Sequence, residues 1–165
     1  MKLPIRKPGK YTHLKPGANI TEEKFNELEK KLTKLRAIRP SLSKEVKRLA
    51  EMGDFSENTA YQIAKGRLRG MNQKILETED HLRRAIIIKP SKNAETIQLG
   101  HEVTIENSGK QKTYLILGSA ETNPRAGIIS NKSPIGSALM GRKVGDKVKM
   151  TLAGKEIEYK IIRIK

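Results

Sequence analysis

Residues Glu51–Gly70 read EMGDFSENTAYQIAKGRLRG, and the fold turns on whether this stretch continues a helix or reverses it. Gly53 is a natural terminator, because a residue without Cβ takes the left-handed conformation at no steric cost. On its N-terminal side apolar residues recur in steps of three and four: Phe25, Leu28, Leu32 and Leu35, then Leu42, Val46 and Leu49. On its C-terminal side the alternation resumes with Tyr61, Ala64, Leu68, Met71, Ile75, Thr78, Leu82 and Ala85. Two such stripes joined by a few residues are buried by folding back on each other, which predicts an antiparallel coiled-coil hairpin over 21–86 with its tip at 53–58. The small Ala64, Thr78 and Ala85 suit close packing opposite leucines. Thr21, ahead of Glu22 and Glu23, marks the start, with a hydroxyl to cap the helix and carboxylates to complement its dipole. Arg39 takes the one seam position that breaks the series, beside Pro40, and a kink is expected there. About 30 residues per helix at ~1.5 Å each makes a rod roughly 45 Å long. Such a rod is built for reach.

The tip admits two readings. Asp54 and Glu57, three apart, fit a capping box in which Asp54 accepts from a backbone N–H and Glu57 reaches back. They also fit half of a magnesium site, since such sites use one or two carboxylates with waters and substrate phosphates. Phe55 lies between the two acids with nothing in the chain that obviously covers it, which favours an exposed functional tip. Two carboxylates on the end of a rod are not a complete catalytic site. They become one only where another macromolecule supplies the rest.

Charge gives the rod a direction. The 165-residue chain has 34 Lys and Arg against 18 Asp and Glu, a net +16 that points to a polyanionic partner. Lys30–Arg48 holds eight cations and one acid, Glu45, and Asn58–Lys74 holds four cations and none. The acids gather at the other end, as Glu22, Glu23, Glu27 and Glu29 on one helix and Glu77, Glu79 and Asp80 on the other. An acid-rich base, a basic shaft and an acidic tip follow. The shaft reads as a track for phosphates, carried by Arg36, Lys44, Lys47, Arg48, Lys65, Arg67 and Arg69.

Residues 1–20 carry Lys2, Arg6, Lys7, Lys10 and Lys15 with no acid and three of the seven prolines, and are expected to form a flexible basic arm. From about Ile87 the period falls to two. EVTIEN, KTYLILG, KVKMTL and EIEYKIIRI read as strands, with turns at NSGK, KVGD and LAGK, and SPIGSALMG as a loop with one helical turn. A small, mostly antiparallel β domain over 87–165 is expected, making the chain α+β. The absence of cysteine excludes disulfides and thiolate chemistry. MKLPIRKPGK has no apolar segment of a secretory signal, and no run approaches a membrane span, so a cytoplasmic protein is expected. His13, His81 and His101 show no metal-ligand spacing, and GSALMGRK lacks the Lys-Ser/Thr ending of a phosphate loop.

GDFSENTAYQIAKGRLR is similar to the tip signature of the bacterial transcript cleavage factors, the GreA/GreB transcription elongation factor family, whose pattern is close to G-D-x-S-E-N-x-x-Y. Arg39–Pro40 matches the family's first helix, and GIISNKSPIGSALMGRKVGD resembles its ISxxSPxxxALxGKxxGD stretch. The likeness runs from about Thr21 to Lys165, in order. It implies a C-terminal domain of FKBP-like fold and an action on backtracked RNA polymerase, whose secondary channel the coiled coil enters. By the same resemblance Asp54 and Glu57, supported by Gly53, Phe55, Ser56 and Asn58, help hold the polymerase's second Mg2+ and position water near the nascent RNA 3′ end. Ser130, Ser133, Pro134 and Ile135 belong to the polymerase-docking loop. The protein then has no cofactor of its own, is no complete enzyme, and is expected to be a monomer.

Departures from the pattern are few. Ala60 stands where a third acid is common, Gly66 and Gly70 fall on the outward face of the second helix, and the arm is longer than usual. The basic shaft leans toward the B-type factors, which handle longer extruded RNA. Three rival readings are a channel-binding inhibitor of the same family, a generic nucleic-acid-binding rod, and a prolyl isomerase. The last needs an aromatic-lined pocket, for which the β domain offers only Tyr114 and Tyr159.

Overall fold

The structure is a computed structural model that describes residues 18–52, 58–91, 95–152 and 155–165. Helix α1 spans Glu22–Glu51 and α2 spans Thr59–Arg84. Thr21 caps α1 in an extended conformation, its hydroxyl accepting from the Lys24 N–H at 3.1 Å. The helices pack along the expected stripes. Leu28, Leu49, Ala64, Ile75 and Thr78 are buried, and the other seam residues from Phe25 to Leu82, Arg39 excepted, are half-buried. A two-helix hairpin has only one partner per stripe, which is why most of the seam stays partly exposed.

Two polar seam positions are satisfied locally. Thr78 donates its hydroxyl to the Lys74 carbonyl at 2.7 Å. Arg39 turns outward and donates Nε to Asn72 Oδ1 on α2 at 2.7 Å. One turn earlier, Arg36 pairs with Glu79 across the same face at 2.8 Å. Pro40, where a kink was expected, lies inside a helix that is continuous from Glu22 to Glu51. It removes one donor from the ladder, and the interhelical bonds of Arg36 and Arg39 hold the hairpin together on the turn before it.

The expected arm of 1–20 is too long at its C-terminal end. Asn19–Ile20 forms a short strand, β1, that pairs in parallel with β2 (Ile86–Ile87), immediately after α2. Ile20 is fully buried. The start and end of the hairpin are thus stitched side by side.

The remaining strands are β3 (Glu102–Asn107), β4 (Lys110–Leu117), β5 (Ile128–Ser130), β6 (Lys147–Leu152) and β7 (Lys155–Ile164). They form one sheet in the order β5-β4-β3-β7-β6, antiparallel except for the parallel pair β4–β5. Ser108 and Gly109 both take positive φ, 49° and 77°, which gives the two-residue β3–β4 turn the twist a hairpin needs. Helix α3 (Pro134–Leu139) buries Leu139 among Ile97, Val103, Ile105, Ile116, Ile129, Val148, Met150 and Ile161. The close seat of α3 depends on Gly136, where a Cβ would stand 2.0 Å from the Ser130 carbonyl oxygen.

Candidate functional site

The expected tip residues Gly53, Asp54, Phe55, Ser56 and Glu57 lie outside the described residues. Their flanks are placed. Helix α1 ends at Glu51, Met52 is its exposed C-cap, and α2 opens at Thr59. Asn58, expected as a tip support, is the N-cap of α2, its Oδ1 accepting from the Tyr61 N–H at 3.0 Å. The capping box foreseen at Asp54 and Glu57 lies outside the described residues, and the N-cap shown for α2 is Asn58. The two tip acids, Asp54 and Glu57, are carboxylates. As hard oxygen donors they suit a magnesium ion, and among the described residues no group of three or more His, Cys, Asp or Glu could hold a metal.

Arg36, Lys44, Lys47, Arg48, Lys65, Arg67 and Arg69 are all exposed. Arg36 is engaged by Glu79, and Lys47 lies 3.9 Å from Glu51 one turn away. Arg48 Nη1 reaches Met52 Sδ at 3.8 Å, and the Lys65 ammonium sits 5.6 Å from the centre of the Tyr61 ring. Lys44, Arg67 and Arg69 make no ion pair with any described residue. Three of the seven acids at the base form ion pairs, one of them Glu79 with Arg36. Asp80 accepts from both Arg83 and Arg84, and Lys24, bonded to Glu27 at 2.8 Å, holds that carboxyl below the usual range. The half of the hairpin toward the tip carries a net positive charge.

In the loop carrying Ser130, Ser133, Pro134 and Ile135, most of these residues face inward. Ser130 is buried, and its Oγ accepts from the Lys132 N–H at 3.0 Å. Ser133 donates Oγ to the Ser130 carbonyl at 2.7 Å and caps α3 by accepting from the Gly136 N–H at 3.0 Å. Ile135 packs on the core. The face this loop offers outward is Lys132, Pro134 and Ser137.

Other candidates resolve as structure. His101 is buried, with Nδ1 facing the Gln98 N–H at 3.3 Å and Nε2 facing the Ser91 carbonyl at 3.0 Å. An acceptor at Nδ1 and a donor at Nε2 describe a neutral imidazole holding a loop. Tyr114 and Tyr159 pack against the core of the β domain. No helix among the described residues is long and apolar enough to cross a membrane. One pair went unread in the sequence. Thr21 and Glu121, a hundred residues apart, are bonded where the hairpin meets the β domain.

Two family models match the chain. The model described as transcription elongation factor, N-terminal, covers residues 18–87, and that described as transcription elongation factor, GreA/GreB, C-term, covers 91–165. Transcription elongation factor GreA of Macrococcus caseolyticus is 39% identical over 149 residues, 88% of this chain and 94% of that protein. Its counterpart in Staphylococcus saprophyticus is 40% identical over 150 residues, 88% of this chain and 95% of that protein. Both carry the A-type name, against the B-type leaning of the shaft's charge. Among solved structures, the GreA factor homolog 1 (Gfh1) protein of Thermus thermophilus is 27% identical with a TM-score of 0.42, covering 90% of this chain and 99% of that one.

Proposed function

The chain belongs to the GreA/GreB family of transcription elongation factors, and from that premise we propose that it enters the secondary channel of backtracked RNA polymerase and stimulates cleavage of the transcript. Asp54 and Glu57 are the oxygen donors it brings. Hydrolysis of a phosphodiester is served by two metal ions that steady the attacking and leaving oxygens, and the second Mg2+ belongs to the polymerase. The role of this chain is to present the two carboxylates where the cation and the attacking water meet. It is no enzyme alone, because it has half of a site.

The observation that carries this reading is the placement of charge. The family's two tip acids fall in the short connection between Glu51 and Thr59, at the end of a hairpin that carries Lys44, Arg67 and Arg69, without ion pairs among the described residues, toward that end. Cations along the shaft suit extruded RNA, and carboxylates beyond them suit a metal. Docking falls to the β domain through the outward face of Lys132, Pro134 and Ser137.

The test is cleavage of a defined backtracked elongation complex. Added protein is expected to shorten the transcript from its 3′ end and restart elongation. Binding to the polymerase with no gain in cleavage would mark an inhibitor of the channel and refute the proposal.

A further inference from the structure

Thr21 joins two parts of the molecule with one side chain. Its backbone N–H donates to Glu121 Oε2 at 2.7 Å and its hydroxyl to Glu121 Oε1 at 2.5 Å. The hydroxyl has a single hydrogen, so with that hydrogen on the carboxylate its lone pairs remain for the helix, where the Lys24 N–H donates at 3.1 Å. The same oxygen therefore ends α1 and fastens it to the β domain. The carboxylate also stands at the N-terminus of a 30-residue helix, whose dipole favours an anion there. Beside it the chain passes so close that a Cβ on Gly118 would stand 2.0 Å from the Asn19 carbonyl oxygen.

We propose that Glu121 is a positioning residue that sets the angle of the hairpin on the β domain. The leverage is large. A tilt of about 10° at the base moves the end of a ~45 Å rod by roughly 8 Å, whereas a misplacement of about 1 Å can cost 100-fold in a reaction that depends on alignment. The segment bearing Glu121 runs on through β5 to Ser130 and Ser133, so the tie links the loop proposed to dock with the base of the lever. The consequence for transcript cleavage rests on the function proposed above. The lock itself does not.

The absence of native cysteine allows the angle to be read directly. Spin labels at Ser43→Cys on α1 and Lys149→Cys on β6, both exposed positions, report one distance between hairpin and β domain by pulsed electron resonance. The labelled chain is expected to give a single narrow distribution. Glu121→Ala and Thr21→Val should each at least double its width, and Thr21→Ser, which keeps the hydroxyl, should leave it unchanged. Glu121→Met keeps the length of the side chain but has no strong acceptor for either Thr21 group. It should broaden the distribution with the helical circular dichroism intact, and so reads the lock even if the alanine variant folds poorly. Unchanged width in Glu121→Met, or equal broadening in Thr21→Ser, overturns the proposal. If cleavage survives loss of Asp54 and Glu57 while these distances still broaden, the proposed function fails and the lock stands. The opposite pattern removes the lock alone.

Discussion

In the proposed function Asp54 and Glu57 act through their charge, and isosteric replacement separates charge from shape. Asp54→Asn or Glu57→Gln should reduce stimulated cleavage on the order of 100-fold, the scale of losing a well-placed group around a metal. Polymerase affinity should stay nearly constant, because the docking proposed here falls to the β domain. A competition assay with a labelled copy measures the affinity and a transcript ladder measures the cleavage. A generic nucleic-acid-binding rod would lose neither. Gly136 offers a structural counterpart at the same scale. Gly136→Ala forces a methyl group against the Ser130 carbonyl and should cost about 1–3 kcal/mol, read from denaturant unfolding. Caps were only partly legible. Thr21 was readable because acids follow it directly, whereas Asn58 was hidden by Asp54 four residues earlier. What decides between two candidate caps is where the partner helix first gives the seam something to pack on, and no local pattern states that.

At the scale of elements, the hairpin was legible because each stripe repeats many times, and β3, β4, β6 and β7 because alternation runs through each. The two- and three-residue strands β1, β2 and β5 are too short to show any period. They exist because long-range partners supply their hydrogen bonds. The interhelical bonds of Arg36 and Arg39 explain how a broken seam survives, which a pattern of apolar residues alone does not. Gly66 and Gly70 test the shaft as an element. A Cβ at either position meets nothing within 4 Å, so Gly66→Ala and Gly70→Ala should each stabilise α2 by about 1 kcal/mol. Thermal unfolding of the double variant should show a raised midpoint. A lowered one would mean that the bare backbone at these positions is needed for a contact within the protein.

Over the whole molecule, what could not be read was how its two parts meet, since a contact between Thr21 and Glu121 leaves no trace in any window of sequence. What could be read was the separation of charge, and the structure sharpens it. At the base Glu27, Glu79 and Asp80 are paired with Lys24, Arg36, Arg83 and Arg84, while toward the tip Lys44, Arg67 and Arg69 have no ion pairs among the described residues. A field of one sign along a rod acts over about 10 Å at ordinary salt, so it is felt by a strand lying beside the shaft and scarcely by one that stops at the tip. Replacing Lys44, Lys47, Arg67 and Arg69 together by glutamine should therefore weaken action on long RNA extrusions and spare short ones. The loss on long extrusions should grow less steep with salt, by roughly 0.7 in the logarithmic slope for each phosphate contact removed. Cleavage rates on two backtracked complexes, one extruding a few nucleotides and one many, measured across a salt series, decide the matter. Equal losses on both would place these cations on the channel wall instead of the transcript, because a wall is met at every depth of backtracking.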